Sequence, residues 1–418
     1  MKFKNIFILI FTFLFVFSTF SFATDEPTVF SEAAILIDAN TGKSLYEKNA
    51  TQQMYPASTT KIMTAILTIE NCELDETVTV NYNAISTIPS GYSIAELVEG
   101  EELTVKQLLE VLLVHSANDA ANVLAMHVGG SIDSFVSMMN SKAQEIGCTN
   151  TNFTNTYGKQ EDTHYTTAKD LALIAQYCMK NSTFRSFVSQ PECTITATNK
   201  HEPRNFKNTN DLIRPSSDYY YEYAIGIKTG YTSEAKNCLI SASSKDGFET
   251  ISVILGADKA PDGASARYVD SINLFEYAYN NYSIKELAHK DDVITQITIP
   301  NGTKETKELD VLLVEDITAL TNTSNTDANS PAITINNNLS APLAAGTIVG
   351  SVTYNIDNIE YKADLVAAHD VEKSDALIII LQIGLAIFIL IILGKLFLSS
   401  KTKKHKKKKM YRDNIYRF

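Results

Sequence analysis

Three short stretches hold residues that could do chemistry together. In "YPASTTKIMTAIL" (residues 55–67), Ser58 and Lys61 are three positions apart at the start of a helical pattern. That spacing places both side chains on one helix face, about 5 to 6 Å apart at Cβ. Pro56 restricts the chain before them, so Ser58 falls in the first turn, where the helix dipole favours an anion. A neutral, partly desolvated lysine beside it could take the serine proton, the role histidine often plays toward a nucleophilic hydroxyl. In "VHSANDAAN", Ser116 and Asn118 fall between two helical patterns; there a hydroxyl can relay a proton and a carboxamide can hydrogen-bond a substrate amide. In "GIKTGYT", Lys228 and Thr229 can bind a carboxylate, and Gly230 would let a ligand backbone pair with the strand. Each stretch alone also has an ordinary reading: a capping serine with a solvated lysine, a helix N-cap, a strand-edge lysine.

The elements that must position these residues are legible in outline. "EAAILIDANTGKSLYEKNA" reads as a β-hairpin turning at Asn40-Thr41-Gly42, and its first strand is apolar on both faces, as a central strand is. Helical stripes follow: Ile62, Ala65, Ile66 and Ile69, then Val105, Leu108, Leu109, Leu112 and Leu113 behind the capping-box pair Thr104 and Gln107. "SFVSMMNSKAQEIG" closes at Gly147, and "TAKDLALIAQYCMK" opens at Thr167 with Asp170 three later. After residue 220 "YAIGIKTGYT", "NCLISASS" and "FETISVILGA" read as strands, and a helix from about Arg267 to Tyr279 carries Ile272, Phe275 and Tyr279 on one side. Strands at both ends with helices between predict an α/β (α+β) domain, with an antiparallel sheet built from the terminal segments and a helical lobe from the middle.

Beyond residue 284 only short strands recur, up to residue 371, which predicts a small all-β, sandwich-like domain with "TALTNTSNTDANSP" as an exposed loop. The N-terminal "MKFKNIFILIFTFLFVFSTFSFA" has the form of a secretory signal cut after Ala23. Residues 376–394 are 19 residues with one polar side chain, Gln382, enough to cross a bilayer. The eight lysines that follow in residues 395–418 mark an inside-facing tail. The catalytic segment is thus expected over residues 24–283, outside the membrane. Between signal and tail the chain has 24 basic and 47 acidic residues, a surface unsuited to nucleic acid. Five cysteines without CxxC spacing, and seven scattered histidines, predict neither a disulfide framework nor a metal site.

Taken together, SxxK, SxN and KTG occur in the order and placement of the serine β-lactamase and penicillin-binding signature, with Ser116-Ala117-Asn118 in place of Ser-Asp-Asn. The mature chain resembles, over nearly its whole length, the low-molecular-mass penicillin-binding proteins that are serine-type D-alanyl-D-alanine carboxypeptidases. "AAILIDANTGKSLYEKNA", "NTYGKQEDTHYTTAKDLALIA", "GTIVGSVTY" and "KADLVAAHDVEK" extend the likeness beyond the three motifs. The resemblance implies removal of the terminal D-alanine from peptidoglycan pentapeptide stems through an acyl-enzyme, covalent trapping by β-lactams, and no cofactor. Position by position, Ser58 is similar to the nucleophile, Lys61 to its base, and Ser116 and Asn118 to the proton relay and the substrate-amide contact. Lys228, Thr229 and Gly230 match the carboxylate-binding strand, the N–H groups of Ser58 and Tyr231 the oxyanion hole, and Arg267 an arginine near that carboxylate.

Two departures stand out. Family members often attach through an amphipathic C-terminal helix, whereas this chain has a true span, and the side chain of Tyr231 after KTG has no assigned role. Three other readings stay open at this level. A D,D-endopeptidase or transpeptidase would use the same site, and an inactive wall-binding homologue would keep the fold. A β-lactamase is disfavoured because none of Glu145, Glu161, Glu192, Glu202 and Glu222 lies in an ExxLN context.

Overall fold

The computed structural model describes residues 26–323 and 330–415. The expected signal segment, the stretch 324–329 of the expected loop and the last three residues lie outside the described residues. The chain divides into two compact units, one ending at Tyr282 and the other beginning at Ser283.

In chain order the first unit begins with β1 (Ala33–Asp38) and β2 (Ser44–Lys48), then α1 (Lys61–Asn71), β3 (Thr77–Thr79), α2 (Tyr82–Ile85), β4 (Glu102–Thr104), α3 (Val105–Val114), α4 (Asn118–Gly129) and α5 (Ile132–Ile146). It continues with α6 (Ala168–Met179), α7 (Ser182–Val188), β5 (Glu192–Ile195), β6 (Arg204–Lys207), β7 (Ala224–Thr232), β8 (Lys236–Lys245), β9 (Phe248–Ala257) and α8 (Ala266–Asn281). The main sheet has the order β2-β1-β9-β8-β7, all antiparallel. Early and late segments therefore share one sheet, as the apolar hairpin and the terminal strands predict. β1 is paired on both edges and every residue of it is buried. Its alternate residues Ala33, Ile35 and Ile37 join the core of the helical lobe. The opposite face of the sheet meets α8 through β9, where Ser252 donates to Ser271 at 3.3 Å.

Local signals set the helix ends. Thr104 and Gln107 form the full capping box of α3, Thr167 caps α6 at the Asp170 N–H, and Gly147 ends α5 in the left-handed region with φ 99°. Two expectations need correction. α1 begins at Lys61, and Ser58 sits in a preceding 3-10 turn, Ala57–Thr60. Its carbonyl accepts from the Lys61 N–H, so the tighter i→i+3 bonding takes the place of a first α-turn. On α8 the buried face is Tyr268, Ser271, Leu274, Phe275 and Ala278. Ile272 and Tyr279 flank it half-buried, and the Tyr279 hydroxyl bonds Ser243 at 2.6 Å.

Among its described residues the second unit is all-β apart from its last helix. It holds β10 (Tyr282–Ala288), β11 (Val293–Thr298), β12 (Glu308–Leu313), β13 (Ile317–Asn322), β14 (Ala332–Ile335), β15 (Ile348–Ile356) and β16 (Ile359–Ala367). A five-stranded sheet runs β11-β12-β16-β15-β14, and β10 pairs with β13. Leu309, Val311, Leu313, Val349, Val352 and Leu365 lie in its core. The Thr/Asn-rich stretch expected to be an exposed loop begins as strand: Thr318–Asn322 belong to β13, with Ala319 and Leu320 buried. The helix α9 (Ala376–Ile415) continues unbroken through the lysine run. Over Ile378–Met410 it is long and apolar enough to cross a membrane, with mean hydropathy 2.6 in its most apolar window.

Candidate active site

Ser58, Ser116, Asn118, Thr229, Gly230, Tyr231 and Arg267 line one open cleft of about 680 Å³. Lys61 and Lys228 are fully buried side chains within its walls. Residues up to 209 positions apart in the chain thus meet at one place.

The first wall is the turn into α1. Lys61 Nζ donates to Ser58 Oγ at 2.8 Å and to the Tyr157 carbonyl at 3.0 Å. Burial, and then the charge of Lys228, push the Lys61 amine well below its ordinary range, while Asp119 opposes them. A neutral amine in contact with the hydroxyl can accept its proton. Ala57, just before Ser58, has φ 48°, and two glycines let other backbone segments close on it. A Cβ on Gly158 would lie 1.7 Å from the Ala57 carbonyl oxygen, and one on Gly230 would lie 3.0 Å from the Ser58 nitrogen. Gly230 therefore admits the chain's own turn Pro56–Ser58, where the sequence suggests room for a ligand backbone. Behind the turn, His164 Nδ1 accepts from the Thr154 N–H at 3.0 Å, which leaves the proton on Nε2, 2.8 Å from Thr60 Oγ1. Burial lowers this imidazole to about 4, so it stays neutral and holds the residue next to Lys61.

The second wall is the α3–α4 turn. Ser116 adopts φ 68°, and Ala117 precedes α4 without a side-chain cap. The ordinary N-cap reading of this serine fails. The turn is clamped from outside: the Ala117 N–H reaches Val111 O at 3.1 Å, the Asn118 N–H reaches Ser93 O at 2.9 Å, and Ser93 Oγ bonds His115 O at 3.0 Å. Asp119 anchors the loop above it by accepting from the N–H groups of Ala95 and Leu97. Asn118 Oδ1 is buried and has no hydrogen-bond partner among the described residues. An orphaned acceptor in a cleft wall is suited to a ligand N–H.

The third wall is β7, the edge strand of the main sheet. Lys228 Nζ donates to the Thr229 carbonyl at 2.9 Å, and burial followed by the Arg267 charge lowers this amine to about 7. Thr229 Oγ1 bonds Thr209 Oγ1 at 2.6 Å. Arg267 stands in the first turn of α8 with its guanidinium 4.6 Å from the Tyr268 ring centre, and its Nε is buried without a partner among the described residues. Thr229 and Arg267 line one end of the cleft, with the Lys228 amine buried behind them, a set of groups suited to a carboxylate.

The D-alanyl-D-alanine carboxypeptidase family (Peptidase_S11) matches residues 20–259. The chain belongs to this family. A second family, the C-terminal domain of penicillin-binding protein 5, matches residues 282–373. The D-alanyl-D-alanine carboxypeptidase DacF of Bacillus subtilis is 31% identical over 84% of this chain and 88% of its own length. A solved peptidoglycan synthesis regulatory factor from Streptococcus pneumoniae is 26% identical with a TM-score of 0.71, covering 82% of this chain and 100% of that one. Penicillin binding protein 5 of Haemophilus influenzae is 25% identical with a TM-score of 0.64, covering 83% of this chain and 99% of that one.

Tyr157, Gly158, His164 and Thr209 of this carboxypeptidase also build the site and carry no sequence spacing that ties them to it. "NTYGKQ" places the first two beside a likeness to the family, yet nothing in their spacing points at Lys61, 96 residues earlier. Thr209 is fixed by its N–H to Val114 O and by the Tyr268 hydroxyl on its carbonyl, both long-range bonds without a local signal.

Proposed function

We infer that the protein is a serine D-alanyl-D-alanine carboxypeptidase acting on peptidoglycan pentapeptide stems, with Ser58 as its nucleophile. The observation that carries the residue assignment is the 2.8 Å contact between Ser58 Oγ and a buried lysine held toward its neutral form. Family membership supports the activity.

In this reading Ser58 Oγ attacks the carbonyl of the penultimate D-alanine while Lys61 takes its proton. The N–H groups of Ser58 and Tyr231 hold the developing oxyanion. Asn118 Oδ1 accepts from a stem-peptide amide. Lys228, Thr229 and Arg267 hold the terminal carboxylate, and binding that anion favours the charged form of Lys228. Ser116 returns the proton to the departing D-alanine nitrogen. Water, deprotonated by Lys61, then hydrolyses the ester and regenerates Ser58. A β-lactam follows the same first step; its ring opens without a leaving fragment, so the ester remains and traps the enzyme.

The apolar α9 suits membrane anchoring. A single crossing with the lysine tail on the cytoplasmic side and both compact units on the wall side agrees with the positive-inside rule, and the β unit would then serve as a spacer between membrane and wall. The reading is tested by supplying the purified full-length chain with a D-Ala-D-Ala-terminated pentapeptide, with and without an acceptor amine, and following free D-alanine and the fate of the tetrapeptide. The expected products are D-alanine and free tetrapeptide. Tetrapeptide found mainly joined to the amine would replace hydrolysis by transfer.

A further inference from the structure

α1 and α4 begin at the cleft and end together at its far side. At that end lie Cys72, the C-cap of α1, Glu76 in the following turn, and His127 in the last turn of α4. Cys72 Sγ, a Glu76 carboxylate oxygen and a His127 ring nitrogen all fall within 4.8 Å of one another. His127 Nε2 and Glu76 Oε1 are 2.9 Å apart. We propose that Cys72, Glu76 and His127 form a zinc site that ties the distal end of the nucleophile helix to that of the Asn118 helix.

Three features support this. The donors are thiolate, carboxylate and imidazole, the set zinc takes at about 2.0 to 2.3 Å in tetrahedral geometry. Ligand atoms around such an ion stand about 3.3 to 3.6 Å apart by that geometry, so the His–Glu edge must open by a few tenths of an ångström and the sulfur must draw in. The backbone is already fixed for it: the Cys72 N–H bonds Thr68 O at 3.0 Å, the Glu76 N–H bonds Glu73 O at 3.2 Å, and Glu76 O accepts from the Val105 N–H at 2.9 Å. Cys72 is also set apart from the other four cysteines. All five are free thiols, and it alone is not buried. Without a metal, an exposed His–Glu pair contributes little, and Cys72 serves only to pack against the edge of the core.

On binding, the thiol proton leaves to solvent as the S–Zn bond forms, the carboxylate coordinates as it stands, and His127 binds through Nε2 with its proton on Nδ1. The fourth position is open to water. The ion adds a cross-link between two helix ends and no step to the reaction at Ser58.

The test uses the full-length chain in detergent, stripped with a chelator, buffer-exchanged after zinc loading and analysed for metal. Cobalt(II) serves as the spectroscopic probe. The expected result is one zinc retained per chain, a thiolate-to-cobalt charge-transfer band, and a zinc-dependent rise in the thermal midpoint. In Cys72→Ser and His127→Ala the affinity falls by about tenfold or more, the band is lost in Cys72→Ser, and labelling of Ser58 by fluorescent penicillin persists, showing that both variants fold. A wild-type chain that retains no zinc would overturn the proposal. So would a charge-transfer band or metal retention unchanged in the variants.

Discussion

Lys61 and Lys228 are two buried amines; the charge of Lys228 bears on Lys61, and that of Arg267 on Lys228. Burial and then the neighbouring lysine push Lys61 well down, and burial and then Arg267 lower Lys228 to about 7, so a bound anion would favour the charged form of Lys228. Protonated Lys61 cannot act as base, so acylation is lost as pH falls through its pKa. Removing the charge of Lys228 raises that pKa. Lys228→Met is therefore expected to move the acid limb of the penicillin acylation rate to higher pH, measured by stopped-flow labelling across pH; a limb that stays put or moves lower contradicts the coupling. Lys61→Ala should lower the acylation rate by about 10² to 10⁴, the usual worth of a positioned base. At this scale the residues that meet in the cleft were largely legible, because SxxK, SxN and KTG are spacings of a few positions at element boundaries or along one strand. Tyr157, Thr209 and His164 act across 20 to 104 positions and leave no spacing to read.

Elements hold Ser58 through backbone closeness more than through side-chain bonds. The segment at Gly158 and the strand at Gly230 both press on the turn Pro56–Ser58. Gly158→Ala would place a methyl 1.7 Å from a carbonyl oxygen at φ 87°, a clash that only backbone movement relieves. The expected cost is about 3 kcal/mol or more in urea unfolding, with acylation reduced in the folded fraction; wild-type values of both would show that the turn is not held there. Gly230→Ala meets contacts of 3.0 to 3.1 Å and should be milder. Helix starts and hairpins could be read from caps and turn residues, since those signals lie within a few positions. The 3-10 entry to α1 could not, because it depends on packing against β7. Strand β13 was hidden because its Thr/Asn-rich composition mimics a loop, while its burial comes from partners elsewhere in the second unit.

For the whole molecule, an N-terminal segment of secretory form, a cleft built on the signature of serine acyl transfer, and an apolar C-terminal helix make one consistent order along the chain. Stopping the chain after Asp375 removes α9 entirely. The shortened protein is expected to leave the membrane fraction and remain labelled by penicillin; retention in washed membranes would assign anchoring elsewhere. The change of texture near residue 284, where helical periodicity stops and short strands begin, lies next to the division of the chain between Tyr282 and Ser283. The central claim, that Ser58 is the acylated residue, is tested most directly by treating the full-length chain with penicillin and mapping the adduct by peptide mass. The account predicts one adduct, on the peptide containing Ser58, and none in Ser58→Ala. An adduct on any other peptide, or one that survives the substitution, would contradict it.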